Sequence, residues 1–360
     1  MKSKHIVSLL PSITEILAEL GVSNMIVGIT HECDHPPEAI QDAKIVTTSE
    51  INPRTMSQEL IHTKVCGSLT NGQSLYGLNG DVLKSLLPID IIFTQSLCDI
   101  CAVSYPMVLK GCATLIGGPP FHDDSPNNVV DNNGSRNKIP RVVSMEPENL
   151  RDVLETFQVA AKALDSIIDE GEGEIGTIEA RCNVVINEIQ TGLNRIEYVV
   201  RAHQHSLKAK SKPLVAFLEW HSPLFAGGHW IPDMLNIIDV SAPMLLSGEP
   251  SKVFTDEELL ELDPDFILIG PCGFNLERSL RDTLAMYKKR PFWRELRAVK
   301  QNQVFALDGN SYYARPGPRL LQGTGIMAAC VYGEELAKEL GEDLAPSTGY
   351  VQVMLDMYDK

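Results

Sequence analysis

A Cys-x-x-Cys pair, Cys98 and Cys101 in the stretch TQSLCDICAVS, follows directly on the apolar run IDIIFT. Such a pair serves as a redox couple, as metal ligands, as part of a ligand site, or as two small buried side chains. A redox couple needs a helix start that lowers one thiol pKa. Here neither Pro nor Gly separates the cysteines, and no thioredoxin-like order of elements surrounds them. Metal or ligand contact and plain burial are the better readings, with the redox couple behind them.

The same residue types recur behind other apolar runs. THECDHP carries His31, Glu32, Cys33 and Asp34; EWHSPLFAGGHWIP carries Glu219, Trp220, His221, His229 and Trp230; GPCGF carries Cys272 and Phe274; GNSYYARPGPR carries Tyr312, Tyr313 and Arg315. Thiolates and imidazoles bind soft or borderline metals, so Cys33, Cys98, Cys101, Cys272 and His31 form a candidate zinc or iron set. Aromatic rings wall large apolar ligands, which makes Trp220, Trp230, Phe274, Tyr312 and Tyr313 candidate contacts. Plainer readings stand beside these. Cys66, Cys112, Cys182 and Cys330 suit burial as small hydrophobes, His221 and His229 suit turn caps, and Arg315 suits packing at a helix end. No phosphate-cradling glycine loop, Gly-x-Ser-x-Gly elbow or His-Glu-x-x-His motif is present. An enzyme would either centre its chemistry on that Cys/His metal set or use Glu219 as acid or base, with no reaction class indicated.

The elements that must position these residues alternate between short apolar runs and helical patterns, the βα signature of sheets covered by helices. Strands are expected at 5–9, 25–29, 89–94, 112–116 and 141–145, then at 213–219, 235–240, 265–270 and 303–308. Ligands of open α/β sheets sit beyond the carboxyl ends of the strands, where the candidate residues fall. Ser12 and Glu15 match a capping box ahead of an apolar helix face, with Gly21 as its stop. Residues 122–138 form a polar insertion, expected as a mobile loop. Between the two groups of strands, Ile175, Ile178, Cys182, Val185, Ile189, Leu193, Ile196, Val200, His203 and Leu207 recur every three or four residues. That is one apolar stripe on one long helix. The expected organisation is an α/β lobe over 1–150, a connecting helical segment over 151–212 and a second α/β lobe over 213–360. In this arrangement two doubly wound lobes, joined by one backbone helix, enclose a ligand cleft.

The chain has 360 residues, 44% of them hydrophobic and 22% charged, with a formal net charge of −16. That composition is globular, and the negative field repels nucleic acid. The apolar run Ile6–Leu10 is shorter than a signal-peptide core of about 7–15 residues, and no window approaches a membrane span. A cytoplasmic protein with reduced cysteines and no membrane insertion is therefore expected.

The opening IVSLLPSITEILAELGVSNMIVGITHECDHPPEA resembles that of the helical-backbone (class III) periplasmic-type substrate-binding proteins, which serve importers of cobalamin, heme, siderophores and metals. TQSLCDICAVS, LEWHSPLFAGGHWIPDML, DFILIGPCGF and DGNSYYARPGPRL resemble a soluble cobalamin-binding-like branch of that family. The resemblance covers nearly the whole chain outside the insertion. It implies non-covalent capture of a small-molecule ligand, a cobalamin or related corrinoid, between two lobes. The implied contacts are Pro11, Ser12, His31, Glu32, Cys33, Asp34, Trp220, Tyr312 and Tyr313. The lack of a leader counts against a permease partner.

Overall fold

The computed structural model describes residues 4–71, 74–95, 105–116, 128–130, 136–138, 140–167, 177–206, 208 and 211–354. It is an α/β chain with two compact units, the first built from 1–52, 61–147 and 154–186, the second from 53–60, 148–153 and 187–360.

In the first unit Ile6–Ser8 is the central strand of a five-stranded sheet. Ile26–Ile29 and Ile91–Thr94 flank it, Lys44–Ile45 and Arg141–Ser144 lie outside them, and every pairing is parallel. The central strand and Ile91–Thr94 are buried along their whole length, as strands covered on both faces must be. The second unit has a six-stranded sheet. Val215–His221, Phe266–Ile269 and Val304–Leu307 run parallel through its middle, and antiparallel strands close both sides.

The first helix differs from its expected start. It runs Pro11–Glu19 with Leu10 as N-cap and no side-chain cap. Proline at the first turn suits the helix because its missing N–H is an orphan there anyway. Ser12 and Glu15 are instead buried inside the helix. Gly21 does end it: at φ +79 its N–H donates to the Ala18 carbonyl while the Val22 N–H donates to Leu17, a Schellman stop. Two expected strands are helical. Residues 112–116 close the helix Tyr105–Ile116, and 235–240 follow from the helix Ile231–Ile237. Short apolar runs do not separate strand from helix by period, and Pro232 in the first turn favours the helix. Part of the insertion expected as a mobile loop pairs Asn128–Val130 with Arg136–Lys138 as an antiparallel ribbon.

Between Ile178 and His203 the long stripe lies on one unbroken helix, Thr177–Ser206, of 30 residues, about 45 Å at 1.5 Å per residue; Ile175 and Leu207 lie outside the described residues. Ile178, Cys182, Val185, Ile189, Leu193, Ile196 and Val200 are all buried. Its residues up to Ile186 belong to the first unit and those from Asn187 to the second, so a single element carries the chain from one core into the other.

Ile196 is fully buried and Tyr198, on the same helix, is 73% exposed. Ile196→Ala is expected to cost about 2–5 kcal/mol in urea unfolding, and Tyr198→Ala no more than about 0.5 kcal/mol. Equal costs would show that the stripe does not anchor the helix.

Candidate functional site

The carboxyl ends of the three parallel strands in the second unit are tied together by backbone contacts. The Gly270 N–H donates to Leu218, the Cys272 N–H to Glu219 (3.2 Å) and the Asn310 N–H to Phe274 (3.0 Å). A Cβ at Gly309 would overlap the Pro271 carbonyl, so only glycine admits this approach. These contacts bring Glu219, Trp220, Cys272, Phe274 and Tyr312 to one end of the sheet. Trp220 is half-buried and packs on Phe274 at 5.1 Å between ring centroids. Phe274 is fully buried, with the Arg278 guanidinium 4.0 Å from its ring centroid on a cation–π contact. The indole Nε1 of Trp220 is buried without a hydrogen-bond partner.

Beside this group, Trp230 donates its Nε1–H to the Tyr313 carbonyl (2.9 Å), and the Tyr313 hydroxyl donates to Gly323 (3.0 Å). Trp230, Tyr313 and Phe274 are buried in the unit's own packing, and so is Arg315, which donates to Asn310. So enclosed, these side chains offer little surface. His229 is different. It sits at φ +51, its N–H donating to Glu249 (2.7 Å) and its carbonyl accepting from Gly248 (3.1 Å). Its ring stacks on Trp230, and its Nδ1 is buried without a partner. Burial lowers its pKa, with Glu148 opposing, which favours the neutral imidazole.

His221 has no nitrogen to spare. The Gln58 amide donates to its Nδ1 (2.7 Å), and its Nε2–H donates to Thr283, whose own hydroxyl is spent on the Ser279 carbonyl. Gln58 also donates to Asp282 (2.9 Å), Arg278 binds the same carboxylate (3.1 Å), and a second Arg278 nitrogen donates to the Met56 carbonyl (2.7 Å). Complete burial pushes the pKa of His221 down to about 4, against the attraction of Asp282. This network seats 53–60 on the second unit. Its members Gln58, Arg278, Asp282 and Thr283 left no sign in the sequence, because Gln58 lies 163 residues from His221.

In the first unit the helix Pro11–Glu19 and the turn after Ile26–Ile29 meet. The Thr14 hydroxyl lies 3.1 Å from the Cys33 sulfur. His31 places Nδ1 2.7 Å from the Thr47 hydroxyl and Nε2 3.2 Å from the Glu32 carboxylate. Pro11, His31, Glu32 and Cys33 are half-buried, Ser12 is buried and Asp34 exposed. Cys33 thus belongs to the first unit and Cys272 to the second; Cys98 and Cys101 lie outside the described residues. Among the described residues no group of three or more His, Cys, Asp or Glu side chains is arranged to hold a metal ion, so Cys33, Cys272 and His31 do not form the expected zinc or iron set. Cys182 and Cys330 are buried as expected, but Cys66 is exposed.

No family model matches the chain. It is 22% identical over 330 residues, 91% of this chain and 80% of the other, to an uncharacterized ABC transporter substrate-binding lipoprotein, YvrC, of Bacillus subtilis (strain 168). Among solved structures it is similar to a periplasmic heme-binding protein of Pseudomonas aeruginosa at 19% identity and a TM-score of 0.60, covering 91% of this chain and 92% of that one. It is likewise similar to the periplasmic heme-binding protein RhuT of Roseiflexus sp. RS-1 at 17% and 0.59, covering 93% and 99%. The periplasmic vitamin B12 binding protein BtuF of Vibrio cholerae follows at 15% and 0.56, covering 93% and 98%. These relatives overturn the expectation of a cytoplasmic protein, since they are periplasmic proteins and a lipoprotein. The run Ile6–Leu10 opens with a core strand, so its length says nothing about export. The case against a permease rested on the same misreading.

The folded His221 pKa of about 4 lies below its ordinary 6.5, so between those values the unfolded chain binds a proton that the folded chain refuses. Stability must rise with pH across this window, and falls by roughly 3 kcal/mol on acidification through it. Chemical unfolding at stepped pH checks this: in His221→Gln the acid-side loss should shrink, and an unchanged pH profile would contradict the assignment.

Proposed function

With the fold of the helical-backbone solute-binding proteins as premise, we propose that this chain captures a metal-centred tetrapyrrole, a corrinoid first, and delivers it to a membrane permease from the outer side of the membrane. Two features of the second unit support this reading: Trp220, half-buried on the Phe274 ring, and His229, whose pKa burial lowers towards the neutral imidazole and whose Nδ1, buried behind the Trp230 stack, has no partner and would turn outward to meet a ligand. A flat macrocycle stacks on an aromatic face, and its central cobalt or iron accepts a neutral imidazole nitrogen. His221 does not suit that role, having spent both nitrogens on Gln58 and Thr283. Glu219 and Tyr312 would meet the ligand's polar rim, with Cys272 beside them. Capture exchanges at most one axial group on the metal and leaves the macrocycle unchanged, so the protein would act as a binder.

Heme is the second reading. The imidazole serves iron as well as cobalt, and heme-binding proteins stand among the structural relatives. The permease follows from likeness to an ABC transporter substrate-binding lipoprotein.

Titration of the purified protein with a cobalamin and with hemin separates the readings. The expected result is quenching of tryptophan fluorescence together with a shift of the ligand's visible bands. Trp220→Ala should weaken binding by about 1–2 kcal/mol, roughly tenfold. His229→Ala should remove the band shift while leaving the quenching. Absence of any spectral change with either ligand would overturn the proposal.

A further inference from the structure

A second, independent site lies on the helix Gln58–Asn71. His62 and Cys66 stand four residues apart on it, so they share one face. Cys66, grouped by its sequence context with the buried cysteines, is exposed, and its sulfur lies 3.4 Å from the His62 Nε2. A zinc ion with bonds of about 2.3 Å to sulfur and about 2.05 Å to nitrogen, at the tetrahedral angle, holds these donors about 3.6 Å apart. The pair therefore already stands near the bite a metal demands, on a regular helix that fixes both Cβ positions. We propose that His62 and Cys66 form a two-donor site for a borderline divalent transition metal such as zinc.

On binding, the Cys66 S–H bond gives way to a sulfur–metal bond, the proton leaves to solvent, and the His62 Nε2 lone pair fills a second position. No oxidant or reductant takes part. Among the described residues no third His, Cys, Asp or Glu joins the pair, so two positions of a tetrahedral ion stay open for water or for donors from another molecule. The site thus suits reversible uptake rather than a structural ion. It does not depend on the ligand reading proposed above, because neither residue lies among the strand-end loops.

Titration of the reduced, metal-free full chain with cobalt(II), as a spectroscopic stand-in, and with zinc(II) in competition tests this. A thiolate-to-cobalt charge-transfer band saturating at one equivalent is expected, displaced by zinc. Metal displaces protons from its ligands, so the apparent affinity should fall as the pH is lowered. Cys66→Ser should abolish that equivalent, and His62→Ala should weaken it at least tenfold. Cys33→Ser and Cys272→Ser should leave it unchanged. Cys66 is exposed and His62 half-buried, and an unchanged thermal midpoint of the metal-free variants checks that folding is intact. Retention of the band and its stoichiometry in Cys66→Ser, or no loss of affinity in His62→Ala, would overturn the proposal.

Discussion

The site in the second unit depends on one backbone contact, the approach of Gly309 to Pro271. Any side chain at 309 would overlap the Pro271 carbonyl. Relief would have to come from the turn behind Val304–Leu307 or from the loop behind Phe266–Ile269. Those two loops carry Tyr312 on one side and Cys272 and Phe274 on the other, and the Asn310 and Cys272 N–H bonds hold them to each other and to Glu219. A parallel sheet brings the carboxyl ends of its strands to one edge. The glycine contact turns that topological accident into a fixed surface on which Trp220 rests.

Polar groups buried behind this surface are arranged at some cost. Gln58, His221, Asp282 and Arg278 satisfy one another closely, yet a Gln58 oxygen and an Arg278 nitrogen remain buried without partners. Each such orphan costs about 1–3 kcal/mol. A purely apolar interior would be cheaper there, but it could not seat 53–60 through the Met56 carbonyl and Gln58 while also presenting a guanidinium to the Phe274 ring. The histidine at the centre stays neutral because it is fully enclosed. His229, held in a left-handed backbone conformation by the 248–249 turn, keeps an uncommitted nitrogen. Two imidazoles eight positions apart in sequence therefore have opposite availability.

Much of this was legible in the sequence. The period of Ile178 to Val200 made the spine helix plain, since a stripe sustained over so many turns has no other economical explanation. The apolar runs of the parallel strands made the α/β class plain, and the thiols, imidazoles or aromatics behind three of them marked the loops that backbone contacts bring together beside Glu219. Short-range ambiguity hid the helical state of 112–116 and 235–240. Long-range pairing hid the rest: nothing near Gln58 announces His221, nothing near Ser12 announces that Leu10 caps the helix, and no composition rule shows that Trp230 and Tyr313 would be used up on each other. Location was misjudged because a run belonging to a core strand was weighed as a failed leader.

The proposal that the strand ends of the second unit bind ligand is tested most directly by amide hydrogen exchange of the full chain, with and without a saturating cobalamin or hemin. Slowed exchange concentrated in 219–221, 228–230, 270–274 and 308–313 is the predicted result. Unchanged exchange in those segments under saturating ligand, with protection confined to other parts of the chain, would contradict it.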